Sequence, residues 1–337
     1  MNQIAKPALL KAAIVAALFP LILTACGNKE AATPEAAAPE ATANAGGEAS
    51  TCSTVKFADI GWTDITATTA LSSTVLEGLG YKAESTIASV PIAFAGLKKG
   101  QIDAFLGYWS PSMTPILEPF LKEKAVTVLD KPNLAGAKYT LAVPTYAYEA
   151  GLKSFADISK FSKELDGKLY GIEPGNDGNK LIADMITKDA FGLKDFKMVE
   201  SSEAGMLTEV SRSVKDKKWI VFLGWAPHPM NVQQDITYLS GGDDFFGPNY
   251  GEAKVYTVTS NDLATRCPNV NKLITNIEFN VGMENEVMLP IMDKIAPNEA
   301  AKAWLAKNPA SLDAWLAGVN TVDGKPGLEA VKAYLGV

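Results

Sequence analysis

Short apolar runs alternate with amphipathic stretches along most of the chain beyond residue 50. The runs VKFADIG (55–61), YKAESTIAS (81–89) and IDAFLGY (102–108) are typical of strands, and the segments between them have helical spacing. A strand, helix and strand that repeat in this order predict a parallel sheet with right-handed crossovers.

The same alternation returns further along the chain. The runs KLYGIEPG (168–175), FKMVESS (196–202) and WIVFLG (219–224) predict three more strands with helices between them. Two such units predict an α/β fold with two lobes, each a mostly parallel sheet flanked by helices. The C-terminal stretches NEAAKAWLAKNP (298–309) and PGLEAVKAYLG (326–336) predict helices.

The N-terminal pattern is that of an export signal. Lys6 and Lys11 precede the apolar run AAIVAALFPLIL, which is too short for a membrane span, and LTAC (23–26) follows it. This ending resembles the lipobox of bacterial lipoproteins. The resemblance implies a signal peptide over residues 1–26 and lipidation of Cys26, with no other contact to the membrane.

The next segment, residues 27–51, is rich in Ala, Pro and Glu and predicts a flexible tether. Beyond it, Cys52 and Cys267 form an even pair in an exported chain, which predicts a disulfide. That bond would join the start of the globular part to a distant segment and place both in one lobe. The expected division is residues 52–137 with 252–337 for lobe 1, and residues 138–251 for lobe 2.

Aromatic residues follow several of the predicted strands. Trp62, Trp109 and Trp225 come directly after strand-like runs, and Asn176 follows another. Since ligands of open α/β sheets bind beyond the carboxyl ends of the strands, these side chains are expected to meet in a cleft between the lobes. Several ring faces around one cleft predict a cage for a quaternary ammonium ion. The other tryptophans are expected in the core: Trp219, Trp304 and Trp315.

Seven motifs together resemble the substrate-binding proteins of ABC importers for quaternary amines, the glycine betaine/choline family. They are DIGWTDITATTA, FLGYWSPSM, GAKYTLAVPTYAY, GIEPGNDGN, VESSEAGML, FLGWAPHPMN and GGDDFFGPNYG, and the resemblance spans about residues 52–320. It implies a two-lobed type II periplasmic-binding-protein clamp without cofactor or catalytic residues. It also implies a cage of Trp62, Trp109, Tyr139 and Trp225, with polar contacts from Asp64 and Asn176.

Choline is the expected ligand, with glycine betaine or carnitine as the alternative. The carboxylate of Asp64 would accept a hydrogen bond from the hydroxyl of choline and would repel the carboxylate of a betaine. Simpler roles stay open: Asp64 could cap a helix, Asn176 and Asp177 could be turn residues, and Tyr139 could belong to a plain strand between the lobes. The family pattern has an acidic residue where this chain has Ala226.

Charge and motifs exclude several other classes of protein. A net charge of −7 gives no basic footprint for nucleic acid, and the single histidine, His228, accompanies no HExxH, nucleophile elbow or Walker loop. No metal site is expected. An exported hydrolase that uses Asp243 and Asp244, or a structural lipoprotein, would not explain three strand-end tryptophans. The sequence therefore predicts a monomer, lipid-anchored on the periplasmic or extracytoplasmic face, with an ABC permease as partner.

Overall fold

The computed structural model of the protein describes residue 48 and residues 50–337. Cys26, the signal segment 1–26 and nearly all of the tether 27–51 lie outside the described residues.

Nine strands form a single mixed sheet in the order β2-β1-β3-β9-β4-β7-β5-β6, and β8 pairs with β4. The pairs of β1 with β2 and β3, and of β5 with β6 and β7, are parallel, as predicted. The strands are β1 (Thr54–Asp59), β2 (Lys82–Ile87), β3 (Ala104–Ser110), β4 (Val126–Pro144), β5 (Lys168–Tyr170), β6 (Lys197–Val199), β7 (Phe222–Ala226), β8 (Ile236–Tyr238) and β9 (Glu252–Ser260).

Helices cover the sheet, and α12, α13 and α15 near the C-terminus pack against α1. Within the part of the chain that the structure describes, no helix has the length and apolar character needed to cross a membrane. The helices are α1 (Thr63–Gly78), α2 (Val90–Lys98), α3 (Thr114–Lys122), α4 (Thr145–Glu149), α5 (Asp177–Thr187), α6 (Glu203–Lys215), α7 (Met230–Gln233), α8 (Asp243–Phe246), α9 (Pro248–Gly251), α10 (Leu263–Arg266), α11 (Pro268–Asn276), α12 (Val281–Met292), α13 (Pro297–Lys307), α14 (Ser311–Trp315) and α15 (Gly327–Leu335).

Two antiparallel strands join the halves of the sheet. The 19-residue strand β4 pairs with β9 from Val126 to Lys138, and from Lys138 onward it pairs with β7 and then β8. We call β1–β3 with α1–α3 the first half and β5–β8 with α4–α9 the second half. Since each half keeps its own three parallel strands, β4 and β9 are the continuous backbone link between them.

Two local predictions need adjustment. The run WIVFLG was expected to begin a strand at Trp219, whereas β7 begins at Phe222. The two strands also extend further than expected at their other ends, since β3 ends at Ser110 and β7 at Ala226. Trp109 and Trp225 thus lie within the last residues of these strands rather than beyond them. Both rings still lie at the carboxyl ends of parallel strands, so their position relative to a cleft is as expected.

A disulfide joins Cys52 to Cys267 across a sequence separation of 215 residues. Beside it, the backbone N–H of Asn269 donates to the carboxylate of Glu48 at 2.7 Å, and the Tyr81 hydroxyl donates to the same carboxylate at 2.8 Å. The end of the expected tether is thus held against α11, next to the covalent link.

Replacing both Cys52 and Cys267 with serine should lower the free energy of unfolding by about 2 to 5 kcal/mol, because the bond closes a long loop in the unfolded chain. Urea unfolding with and without reductant measures this difference. Reductant should destabilise the wild-type protein and leave the double-serine variant unchanged. Equal stability of oxidised and reduced wild-type protein would contradict a structural role for the bond.

Candidate functional site: an aromatic cavity with buried carboxylates

A cavity with mainly aromatic walls lies where the two halves of the sheet meet. It forms beyond or at the carboxyl ends of β1, β3, β5 and β7, the usual position of a ligand site in an open α/β sheet. All six predicted binding residues line it, together with two that were not predicted to bind. The lining residues are Trp62, Asp64, Trp109, Tyr139, Ile172, Asn176, Asp177 and Trp225.

Three rings stand as mutually inclined walls of the cavity. Tyr139 of β4 lies directly opposite Trp225 of β7 in the antiparallel register. Their ring centroids are 6.5 Å apart at an interplanar angle of 79°, and Trp109 and Tyr139 are 5.9 Å apart at 58°. A cation within about 6 Å of a ring centroid, over the face of the ring, is attracted to it.

Glycines allow the close packing that fixes Tyr139. A Cβ atom at Gly178 would lie 1.9 Å from the Tyr139 hydroxyl, and one at Gly251 would lie 1.9 Å from the Tyr139 carbonyl oxygen. The Tyr139 hydroxyl donates to Asn176 Oδ1 at 3.1 Å. Burial raises the pKa of Tyr139 well above its usual value, so this ring stays neutral. Tyr139 is therefore both part of a strand and a wall of the cavity.

Asn176 combines two of the roles that the sequence left open. It is the N-cap of α5, where its Oδ1 accepts from the Asn179 backbone N–H at 3.0 Å as well as from Tyr139. Its Nδ2 donates to Asp177 Oδ1 at 3.3 Å. Asn176 lines the cavity, but its acceptor atom is already used by two donors.

Trp62 and Asp64 stand at the start of α1. Trp62 is the N-cap, and its backbone is extended, so the indole projects from the helix end. The indole N–H donates to Glu173 Oε1 at 2.8 Å, across to the second half. Asp64 lies in the first helical turn and is only 1% exposed. The side chain of Trp62 makes no capping hydrogen bond, whereas the Asp64 carboxylate interacts with the backbone N–H groups of Asp64 and Ile65 at the start of α1.

The cavity region holds buried carboxyl groups, and no basic side chain is among its eight lining residues. Burial, followed by the charge of Glu203, raises the pKa of Asp64 well above its usual value. Burial raises the pKa of Asp177 to about 6 and that of Glu173 to about 7. Carboxylates in a dry site that lack a positive partner behave in this way.

Three buried polar atoms of the lining residues have no hydrogen-bond partner: Asp64 Oδ1, Asp177 Oδ2 and Trp109 Nε1. Buried polar atoms are normally paired, because an unpaired one costs roughly 1 to 3 kcal/mol. Two acceptors and one donor on residues that line one cavity therefore lack a partner within the protein and can pair with a polar group of a ligand.

A second set of polar contacts lies behind the aromatic walls. Glu203 Oε2 accepts from the Thr63 backbone N–H at 2.9 Å, and Glu203 Oε1 accepts from the Thr63 hydroxyl. His228 Nε2 lies 3.2 Å from Glu203 Oε1, and the His228 ring packs 4.9 Å from the ring of Trp225. This cluster connects the start of α1 with the second half.

The residues that sequence reasoning missed are mainly acids and the histidine. Glu173, Glu203 and His228 received no ligand-site role, and Asp177 was considered only as a turn residue. The position of Asp177 beside Asn176, directly after a strand and at the start of a helix, was a usable signal. The contacts of Glu173 and Glu203 join positions 111 and 140 residues apart and leave no local pattern.

The tryptophans that were expected in the core and the acidic pair on α8 lie outside the cavity lining. Trp315 is 3% exposed, and Trp219 and Trp304 are partly buried against the core. Asp243 and Asp244 are exposed at the start of α8. Among residue 48 and residues 50–337, no group of three or more His, Cys, Asp or Glu side chains could hold a metal ion.

Ala226, where the family pattern has an acidic residue, does not line the cavity. It lies opposite Lys138 in the register of β4 and β7. Lys138 Nζ is 5.4 Å from the ring centroids of both Tyr238 and Tyr250, within the range of cation–π attraction.

Comparison with known proteins gives a consistent family. Residues 53–307 match the family described as the substrate binding domain of ABC-type glycine betaine transport system. A glycine betaine/carnitine transport binding protein of Listeria monocytogenes is 30% identical over 164 residues, which cover 48% of this chain and 53% of that protein. A protein of Chromohalobacter salexigens without assigned function is 52% identical over 133 residues, 40% of this chain and 85% of that one.

Solved structures extend the match to three dimensions. An ABC-transporter choline binding protein in complex with choline is 54% identical, with a TM-score of 0.84 over 86% of this chain and 100% of that chain. An ABC-transporter choline binding protein in an unliganded semi-closed conformation is also 54% identical, with a TM-score of 0.78 over 85% of this chain and 100% of that chain. Lactococcal OpuAC, closed with glycine betaine, is 26% identical with a TM-score of 0.71 over 78% and 98%.

These matches confirm the expected two-lobed α/β fold of type II binding proteins; the links β4 and β9 make the sheet mixed. They also confirm that the protein is not an enzyme, because the matched family and the relatives named for a function are transport binding proteins. The chain belongs to the family of substrate-binding domains of ABC-type glycine betaine transport systems.

Proposed function

We propose that this protein captures choline in the aromatic cavity and delivers it to an ABC importer. The observation that carries the proposal is the composition of the cavity wall: three tryptophans, one tyrosine and two carboxylates, without a lysine, arginine or histidine. Ring faces attract a quaternary ammonium ion by about 0.5 to 2 kcal/mol each when desolvated. The buried carboxylates add the charge that such a cation neutralises.

The polar end of the ligand distinguishes choline from glycine betaine and carnitine. The free Oδ1 of Asp64 and Oδ2 of Asp177 can accept a hydrogen bond from a hydroxyl, whereas a ligand carboxylate would meet two negative groups. Since Asn176 Oδ1 is already used twice, Asp177 is the better acceptor of the two neighbours. We therefore add Asp177 to the predicted binding residues.

Helix N-termini favour anions, and both α1 and α5 begin at the cavity. In this protein each helix carries its own carboxylate in the first turn, Asp64 in α1 and Asp177 in α5. Backbone N–H groups of Asp64 and Ile65 lower the pKa of Asp64, and those of Asp177 and Gly178 lower the pKa of Asp177, in opposition to burial. The positive helix ends therefore already interact with protein acids, which reduces their attraction for a ligand carboxylate.

The proposed movement is that of a clamp. Residues 52–137 with 252–337 would form one lobe and residues 138–251 the other, with β4 and β9 as the hinge strands. The higher TM-score with the choline complex than with the unliganded semi-closed form, 0.84 against 0.78, supports a closed arrangement of the halves. Because the cavity draws side chains from both lobes, ligand would favour the closed form by its differential affinity.

The proposed location is the extracytoplasmic side of the membrane, where a monomer held by a lipid on Cys26 would serve its permease. The sequence LTAC and the Ala/Pro/Glu-rich segment after it support an anchor with a tether. The alternative ligands, glycine betaine and carnitine, are favoured by the named relative of Listeria monocytogenes.

Calorimetric titration with choline, glycine betaine, carnitine and acetylcholine should give micromolar or tighter binding of choline and about tenfold or weaker binding of glycine betaine. Asp64→Asn should reduce the ratio of the choline affinity to the betaine affinity. The substitution removes an acceptor for the choline hydroxyl and a charge that repels the betaine carboxylate. Glu118→Gln, an exposed acid on α3 outside the cavity, is the matched control. Tighter binding of betaine than choline by the wild-type protein would overturn the choice of ligand.

Affinity for choline should fall as the pH falls. Asp177 has a pKa of about 6 without ligand, and a bound cation lowers it, so binding releases protons and affinity rises as the pH rises through this value. Between pH 8 and pH 5 the affinity should weaken by about tenfold or more, since about nine tenths of a group with this pKa is protonated at pH 5. Asp64 and Glu173 act in the same direction.

Titrations across this pH range test the assignment. Asp177→Asn should bind choline more weakly at pH 8 and show a smaller dependence on pH, whereas Asp184→Asn on the same helix should keep the wild-type dependence. An affinity that stays constant from pH 8 to pH 5 would show that these carboxylates do not bind the cation.

Cys26→Ser should abolish fatty-acid labelling of the full chain in a bacterial host, because the thiol is the proposed site of lipidation. Cys52→Ser serves as the control and should remain labelled. Equal labelling of Cys26→Ser and the wild-type chain would contradict the anchor and leave the binding site unaffected.

A further inference from the structure

We propose that Glu203 is a positioning residue that caps α1 from the opposite half of the protein, and that this contact holds the clamp closed around its ligand. The inference rests on the proposed function of the cavity. Glu203 does not line the cavity, and neither the family resemblance nor the strand-end pattern assigns it a role.

The first step concerns the start of α1. The first four N–H groups of a helix have no partner within the helix and need a cap. The side chain of Trp62, the N-cap residue of α1, makes no capping hydrogen bond to the helix. Instead, the Thr63 N–H donates to Glu203 Oε2 at 2.9 Å, from a residue 140 positions away. Glu203 therefore supplies, from the opposite half of the same chain, the anionic cap that usually comes from a residue at the start of the helix itself.

The second step concerns the other partner of the same carboxylate. The backbone N–H of Met230 donates to His228 Nδ1 at 2.9 Å, so Nδ1 is an acceptor and Nε2 carries the proton. His228 Nε2 can then donate to Glu203 Oε1 at 3.2 Å. His228 is 1% exposed and Glu203 is 7% exposed, so little water competes for these bonds. Glu203 is thus held firmly within its own half.

The third step connects this network to the cavity. Thr63 stands between Trp62 and Asp64, which both line the cavity, and His228 packs against the ring of Trp225 on the other side. A continuous path of contacts, Trp225 to His228 to Glu203 to Thr63, therefore runs behind the cage and joins walls from both halves. Separation of the halves would break the Thr63 bonds and leave the bonds within the second half intact.

Electrostatics couples this contact to the ligand. The charge of Glu203 is, after burial, the largest cause that raises the pKa of Asp64. Closure of the empty protein thus brings two acids into a dry region, which is unfavourable. A cation in the cavity offsets that repulsion, so Glu203 can make its cap at full strength when a quaternary amine is bound.

Stopped-flow tryptophan fluorescence with choline separates this role from a general effect on folding. Glu203→Ala should raise the dissociation rate of choline by about tenfold or more and leave the association rate close to wild type. The reason is that the substitution removes hydrogen bonds to a charged group that form only when the lobes are closed. Glu203→Gln offers one acceptor oxygen in place of two and should give a smaller increase. Glu209→Gln, on the outer part of α6 and paired with Arg212, is the matched control and should behave as wild type.

A double-mutant cycle with Thr63→Val identifies the partner. If Glu203 acts through α1, the increase in dissociation rate caused by Glu203→Gln should shrink when Thr63 is already Val. Melting temperatures without ligand should stay close to wild type, whereas the rise produced by choline should be smaller in the Glu203 variants. Fully additive rates, or a wild-type dissociation rate in Glu203→Ala, would overturn the proposal.

The outcomes separate this proposal from the function on which it rests. If the wild-type protein binds none of the quaternary amines, both the proposed function and the role of Glu203 that rests on it are contradicted. If the wild-type protein binds choline while Glu203→Ala releases it at the wild-type rate, only the role of Glu203 is contradicted, and the proposed binding in the aromatic cavity is unaffected.

Discussion

The structure around the cavity is governed by the burial of negative charge without a positive partner. Asp64 and Asp177 are almost fully buried, yet each keeps one carboxylate oxygen without a hydrogen bond. Such an arrangement is expensive in an empty protein and becomes favourable when a cation enters. The aromatic walls fit the same requirement, because they exclude water, and their faces stabilise a cation that cannot donate hydrogen bonds.

The fold provides this environment because it brings strand ends from two sets of parallel strands of one mixed sheet to one place. Trp109 and Trp225 lie at the ends of β3 and β7, while Tyr139 lies on β4, which runs through both halves. A ring on the linking strand lies between rings fixed to either half. Movement about β4 and β9 would therefore change the distance between walls without unfolding either set of strands.

Much of this arrangement was predictable from the sequence. Period-two and helical patterns predicted the parallel strands, and the placement of Trp62, Trp109 and Trp225 after them predicted a shared cleft. The contacts of Glu173 and Glu203 were not predictable, because they depend on how two distant segments approach each other. Asn176 shows a third case: the sequence suggested a turn residue or a ligand contact, and only the three-dimensional structure shows that its side-chain oxygen caps α5 and also holds Tyr139.

In the mode of binding proposed above, selectivity and retention have separate physical origins. The rings interact with a trimethylammonium group in the same way whatever is attached to it, so they cannot distinguish choline from a betaine. Asp64 and Asp177 act on the rest of the ligand, and their effect depends on their ionisation and on the helix N–H groups that support it. Glu203 contacts neither the rings nor the cavity directly, and it acts on how long the walls stay together. A change in ligand preference therefore requires substitution of the acids, whereas a change in residence time can arise behind the cage, at a position that no ligand touches.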